Sequence, residues 1–162
     1  MYRVGFYQLQ KNSDTPPVVE TIPPGLTATI DGTPVTFNAR VAAYNSSSSG
    51  IYNLSIVGTT GITAPFDQLI VAVSGGQKPA TGTYHHIDGS GIDYALLVYD
   101  ISGGASYIED YTSTAAQHPV TINVTILTST NVQGTFSGQI VMPGATATGL
   151  KVITNGKFNV NF

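Results

Sequence analysis

The chain has 162 residues and a formal net charge of −3, from nine carboxylates against six Lys and Arg, with charged residues making up only 9% of the whole. It has no basic stripe that could neutralise a phosphate backbone or grip an anionic bilayer, so nucleic-acid binding and polybasic membrane attachment are excluded. With no cysteine it has neither a disulfide framework nor a thiolate zinc site, and no apolar run approaches the roughly 18 residues that a membrane-spanning helix needs.

Residues 1–25 read as a segment apart. Over residues 2–8, Tyr2, Val4 and Phe6 alternate with Arg3, Gly5 and Tyr7, a pattern that can add to a sheet edge. Residues 11–24 hold Pro16-Pro17 and Pro23-Pro24, which forbid helix and central strand and predict an extended tether. The opening residues, Met1 to Tyr7, are too short and too polar for a signal peptide.

Residues 26–162 predict a single antiparallel β-domain. Residues 26–30 run into Asp31-Gly32, a hairpin signal, and Val35, Phe37, Ala39, Val41 and Ala43 follow in alternation. Asn45 and residues 46–50 read as a polar loop. In the strand at 51–57, Tyr52, Leu54 and Ile56 share a face. Residues 69–73 are a continuous apolar run ended by Gly75-Gly76, and residues 81–87 lead to the loop Asp88-Gly-Ser-Gly91. A long strand at 92–101 ends at Gly103-Gly104, with a further strand at 106–111.

The clearest alternation comes last. Val120, Ile122, Val124 and Ile126 form one run, Val132, Phe136 and Ile140 a second, and Phe158, Val160 and Phe162 a third that follows Asn155-Gly156. Side chains on a strand face opposite ways in turn, so each run has one buried and one wet face. Ile122, Val124, Ile126, Phe136, Ile140, Phe158 and Phe162 are expected inside, with Asn123, Gln133, Asn159 and Asn161 largely exposed. Asn155-Gly156 is expected to be the two-residue turn of a terminal hairpin. Evenly spaced strands without helices predict an all-β fold, an antiparallel β-sandwich or an up-and-down, lipocalin-like barrel of about ten strands.

In order along the chain stand Leu26-Thr-Ala-Thr-Ile-Asp-Gly32, Gly50-Ile-Tyr-Asn-Leu-Ser-Ile-Val-Gly58, Thr81-Gly-Thr-Tyr84, Val132-Gln-Gly-Thr-Phe-Ser-Gly138 and Ile153-Thr-Asn-Gly-Lys-Phe-Asn-Val160. This succession, over residues 26–162, resembles a family of small exported domains of unknown function in Bacteroidota, many of them predicted lipoproteins. The resemblance implies an extracytoplasmic protein at the cell surface or outer membrane, and carries no catalytic residues with it. Such lipoproteins begin at a lipidated Cys followed by a polar, Pro-containing tether. Lys11-Asn-Ser-Asp-Thr-Pro-Pro17 resembles that tether, and this chain has no Cys ahead of it.

Chemistry is sparse. His85 and His86, with His118, are the only histidines, and neighbours on a strand diverge, so His85 and His86 cannot share one metal. Asp88, Ser90 and Asp93 surround a Gly-rich turn and could offer oxygens to Ca²⁺, although Asp and Gly are also ordinary turn residues. Glu109-Asp110 is the only adjacent acidic pair, and on a strand its carboxylates point apart rather than together as a glycosidase requires. Asn45, Asn53 and Asn123 each open an N-glycosylation acceptor, matches that a Thr/Ser-rich chain produces by chance. Tyrosines thicken between Tyr84 and Tyr111, where Tyr94, Tyr99 and Tyr107 also fall. Their flat amphipathic rings could hold a glycan or a protein partner, or else pack between strands.

The expectation is a non-enzymatic domain for binding or assembly at the bacterial surface, needing no cofactor. Its partner would be a surface protein or a glycan, or further copies of itself joined through residues 2–8. A barrel that carries a small ligand, a carbohydrate-binding module and a glycan-active enzyme are the alternatives.

Overall fold

The computed structural model describes residues 21–86, 94–108, 119–142 and 149–162. The predicted edge strand at 2–8 and most of the tether lie outside the described residues, as do Asp88, Ser90, Asp93, Glu109, Asp110, Tyr111 and His118. The described residues form strands β1 Gly25–Ile30, β2 Thr33–Thr36, β3 Arg40–Ser48, β4 Ile51–Thr59, β5 Gln68–Gly75, β6 Gly82–His85, β7 Tyr94–Ile101, β8 Ala105–Ile108, β9 Val120–Leu127, β10 Asn131–Val141 and β11 Leu150–Asn161. The fold is all-β, as the alternation predicts.

One antiparallel sheet runs in the order β2-β1-β11-β10-β8-β7-β5-β4-β3, with β9 on β10 and β6 on β9. It curls so that two halves face each other. One half is β2-β1-β11-β10-β9-β6 and the other is β3-β4-β5-β7-β8. Among the described residues they join at the pair Val141↔Ile108 and at the bend between β2 and β3. In that bend the Phe37 amide donates to the Leu26 carbonyl and the Ala39 amide to that of Thr59. The succession departs from a plain up-and-down meander at β6, which pairs with β9 rather than with its sequence neighbours. Between the halves, Gly58 of β4 lies against Leu26, and Gly138 of β10 lies against Leu97. Leu26, Phe37, Leu54, Leu69, Leu97, Ile122, Ile140 and Phe158 are fully buried there.

Local chemistry explains the turns. Asp31 and Gly32 take φ of 48° and 81° between the paired Ile30 and Thr33, a two-residue turn whose twist matches its strands. Ser49 and Gly50 take φ of 53° and 80° between Ser48 and Ile51. The polar stretch at 46–50, expected to be a loop, is therefore a continuation of β3 with a tight turn at its tip.

Two expectations fail for one reason, the β-bulge. Asn155-Gly156 is no turn, since both residues lie inside the twelve-residue β11. Pairing jumps from Phe136↔Gly156 to Gly138↔Ile153, so two residues of β11 oppose one of β10. Asn155 absorbs the extra residue at φ 52°, the left-handed backbone that Asn tolerates in bulges as in turns. A second bulge lies in β9, where pairing jumps from Gly134↔Val124 to Gln133↔Ile126. Beyond it the phase of alternation inverts. Ile126, expected inside, is 36% exposed, and Leu127 takes the inward position opposite the buried Val132. Phe162 keeps the inward phase but lies past the end of the sheet, and is 41% exposed. Ile122, Val124, Phe136, Ile140 and Phe158 are buried as expected. Of the polar set only Asn161 is exposed. Asn123, Gln133 and Asn159 are half-buried, and the last two join a carboxamide network around Asn131.

The outer faces of the two halves differ in kind. Across the first, paired positions set Thr36, Thr27, Lys157, Thr135, Asn123 and Thr83 side by side. Across the second, the same lateral pairing sets Ala42, Val57, Ile70, Val98 and Ile108 in one row, which Val141 of β10 continues across the junction.

Candidate functional site

Where the two halves part at one end of the core, they leave an open cleft of about 330 Å³. The β3–β4 hairpin supplies Asn45, Ser46, Ser47, Tyr52 and Asn53, the β5–β6 connection Lys78 and Pro79, and the end of β9 Leu127 and Thr128. A smaller hollow of about 70 Å³ adjoins it behind Lys78 and Pro79, reaching Ser74 and Tyr84.

Each wall is fixed by pairing or by a specific hydrogen bond. Tyr52 stands opposite Ser47 in the ladder, on the face that carries Leu54 and Ile56 into the core. It lies where the opposing half no longer covers the sheet, so its ring is only half-buried. Asn53 is held by the Ser74 hydroxyl, which donates to its Oδ1. The β5–β6 connection is pinned by Tyr84, whose phenol accepts from the Ala80 amide at 2.9 Å and donates to the Ala80 carbonyl at 2.8 Å. Leu127 faces the cleft because the β9 bulge turns it inward. Thr128 Oγ1 accepts the amides of Thr130 (3.2 Å) and Asn131 (3.0 Å), which shapes the turn into β10. Among the described residues the cleft thus presents carboxamides and hydroxyls, one ring, one leucine and a single ammonium, that of Lys78.

The five tyrosines singled out from sequence do not form one patch. Tyr84 lines the smaller hollow, while Tyr94 is half-buried in the outer row of Ser46, Asn53 and Ser74. Tyr99 and Tyr107 are core residues, 6% and 9% exposed. Their rings lie 6.4 Å apart, and Phe37 meets Tyr99 edge-on at 6.1 Å. Burial pushes the Tyr99 phenol well above its ordinary pKa, and its hydrogen bond to Asp67 Oδ2 at 2.8 Å adds to the shift. Tyr111 lies outside the described residues. His85 is exposed, its Nδ1 3.2 Å from Thr121 Oγ1, and His86 is buried, so the pair diverges as strand geometry requires. Among the described residues, no three His, Asp or Glu come together as metal ligands would.

Sequence reasoning missed Tyr52 and Lys78. Tyr52 shares the alternation of Leu54 and Ile56 and so reads as core. Only knowing where the opposing half ends reveals that it emerges. Lys78 sits in an ordinary Gly/Pro connection, and nothing local marks it.

No protein-family model matches the chain. Searches of the curated proteins and of the solved structures likewise give no match.

Proposed function

We propose that this chain is a non-enzymatic binding domain that works outside the cytoplasm, at the bacterial cell surface, and takes a hydroxyl-rich ligand such as a glycan in the cleft at the β3–β4 hairpin. The observation that carries this reading is the make-up of the cleft. Carboxamide and hydroxyl groups of the β3–β4 hairpin and of the end of β9 come together beside a half-exposed ring, with the Lys78 ammonium added by the β5–β6 connection. Sugar rings are held in this way, hydrogen bonds setting orientation and an aromatic face packing on the apolar side of the ring. Lys78 favours a ligand with an acidic group. Among the described residues the lining holds no carboxylate or imidazole, the usual agents of proton transfer. The volume is at the lower end of that of small-molecule sites, about 300–1,000 Å³. Close packing at Gly58, Gly134, Gly138 and Gly156, where an added methyl would meet a neighbour within 3 Å, argues for a ligand at the rim rather than a carrier's interior cargo. The surface location rests on the family resemblance and the low-charge Thr/Asn exterior.

Titration of isotope-labelled protein with neutral and uronate-containing oligosaccharides tests the reading. Amide shifts should gather at Asn45, Ser46, Asn53 and Lys78, and Tyr52→Ala should weaken binding at least tenfold. Shifts confined to other surfaces, or none across the panel, would sink it.

A further inference from the structure

The second half of the sheet has an outer face unlike that of a sheet exposed to water. Ala42, Val57, Ile70, Val98, Ile108 and Val141 lie side by side on β3, β4, β5, β7, β8 and β10, each in register with the next. All six point away from the core, because Ala43, Ile56, Leu69, Leu97, Tyr107 and Ile140 beside them are buried in it. The six are half-buried side by side, and the neighbouring row runs Tyr44, 58% exposed, then Ser55, Ala72 and Leu96. The sequence carries the same message. Residues 69–73 and 95–98 are unbroken apolar runs, the pattern of strands covered on both faces, whereas β9, β10 and β11 alternate as one-sided strands do. Contiguous apolar patches of this kind mark interaction sites.

We infer that this face is covered by the first ten residues of the same chain. Three internal stretches also lie outside the described residues, 87–93, 109–118 and 143–148. They are mainly polar and small, and each is tied at both ends. Residues 1–10 instead carry Met1, Tyr2, Val4, Phe6, Tyr7 and Leu9, with Arg3 their one charged side chain. Seven extended residues span about 20 Å, and a row across six strands at about 4.8 Å spacing spans a similar 24 Å. The route is short. Ile22 is buried and its carbonyl accepts from Asn159 Nδ2 at 2.7 Å, which fixes the start of the domain. Gly25 then packs on Asn38, Asn38 bridges to Thr59, and Thr59 stands two residues from Val57 on β4. Residues 11–20, reaching about 33 Å when extended, leave ample chain to cross that distance. Tyr2, Val4 and Phe6 share one side of an extended segment and would lie on the apolar row, with Arg3 and Tyr7 toward water.

Because the chain contains no cysteine, a single spin label can be placed on it. The full chain carrying Phe6→Cys with a nitroxide should broaden the methyl signals of Ile70 and Val98 and leave those of Val124 and Val132 sharp. A mixture of labelled chain without isotope and isotope-labelled chain without nitroxide should show no such broadening. Broadening in the mixture would mean that another copy's segment covers the face, and the inference falls. Sharp Ile70 and Val98 signals in the singly labelled chain would overturn it as well. Val4→Asp with Phe6→Asp should raise binding of an apolar dye several-fold while the chain stays monomeric, and an unchanged dye signal would count against the cover.

Discussion

Two phenylalanines and two glycines form a reciprocal lock. Gly134 pairs with Phe158 and Phe136 with Gly156, so each ring of one strand lies over the glycine of the other. The rings stack at 6.3 Å. A methyl on Gly134 would stand 2.4 Å from the Phe158 ring, and one on Gly156 2.5 Å from both the ring and the carbonyl of Phe136. Gly156 is thus required by close approach rather than by a turn conformation. Phe136→Ala should lower stability by about 3–5 kcal/mol, and Gly156→Ala by about 1–3 kcal/mol through overpacking, both read from denaturant midpoints. At the Asp31 turn the Lys151 ammonium, 2.7 Å from Oδ2, holds the carboxyl below its ordinary range, helped by the Val152 amide. The same hydrogen bond raises Lys151. A depressed carboxylate stabilises the fold above its ordinary pKa of 3.8 and loses that contribution as pH falls through its lower folded value. The raised Lys151 contributes fully below its ordinary 10.5 and fades as pH climbs past it. Asp31→Asn should therefore lower the thermal midpoint between about pH 5 and 9, modestly because the pair is partly exposed, with the gap closing as pH falls below the ordinary 3.8 and through the lower folded value. A gap that stays constant into acid would place the effect in the turn's backbone instead. The Gly-x-Phe signature, at Gly134-Thr-Phe136 and again at Gly156-Lys-Phe158, stands in plain view in the sequence. Its meaning does not, because it depends on a register that only pairing defines.

Alternation at the level of the strand was legible wherever a strand is regular. β1, β9 up to Val124, β10 and the end of β11 bury the residues that period two assigns inward. It failed where the ladder takes in an extra residue, since a bulge shifts the phase by one while the composition stays strand-like. Ile126 continues the apolar series of Ile122 and Val124 yet faces out, and Asn155-Gly156 serves a bulge with the residues favoured for a hairpin. The candidate cleft was less legible still, being assembled from three connections distant in sequence. Paired substitutions separate the phases on β9. Ile126→Thr should change stability by less than about 0.5 kcal/mol, whereas Val124→Thr, which places a hydroxyl in the core, should cost about 1–3 kcal/mol. Equal losses would mean that the strand runs straight through.

At the scale of the whole molecule, the first described strand pairs with the last: Leu26 stands opposite Phe158, with β11 lying between β1 and β10. Among the described residues, the hairpin of β1 and β2 is held to the rest of its half-sheet through β11 alone. A growing or emerging chain can form the local β3–β4–β5 meander early, but the other half has no centre until its final dozen residues arrive. Contacts so distant in sequence carry a large loop-closure cost and slow the search for the native state. Removal of residues 150–162 should therefore leave a chain that binds apolar dye and unfolds without a cooperative transition, while removal of residues 1–20 should leave a cooperative fold. For any polypeptide that emerges from its N-terminus, as from a ribosome, this order of assembly acts as a timer. The half that holds β1 and β2 stays pliable while the chain is still appearing, and the domain closes only once β11 has slotted between β1 and β10.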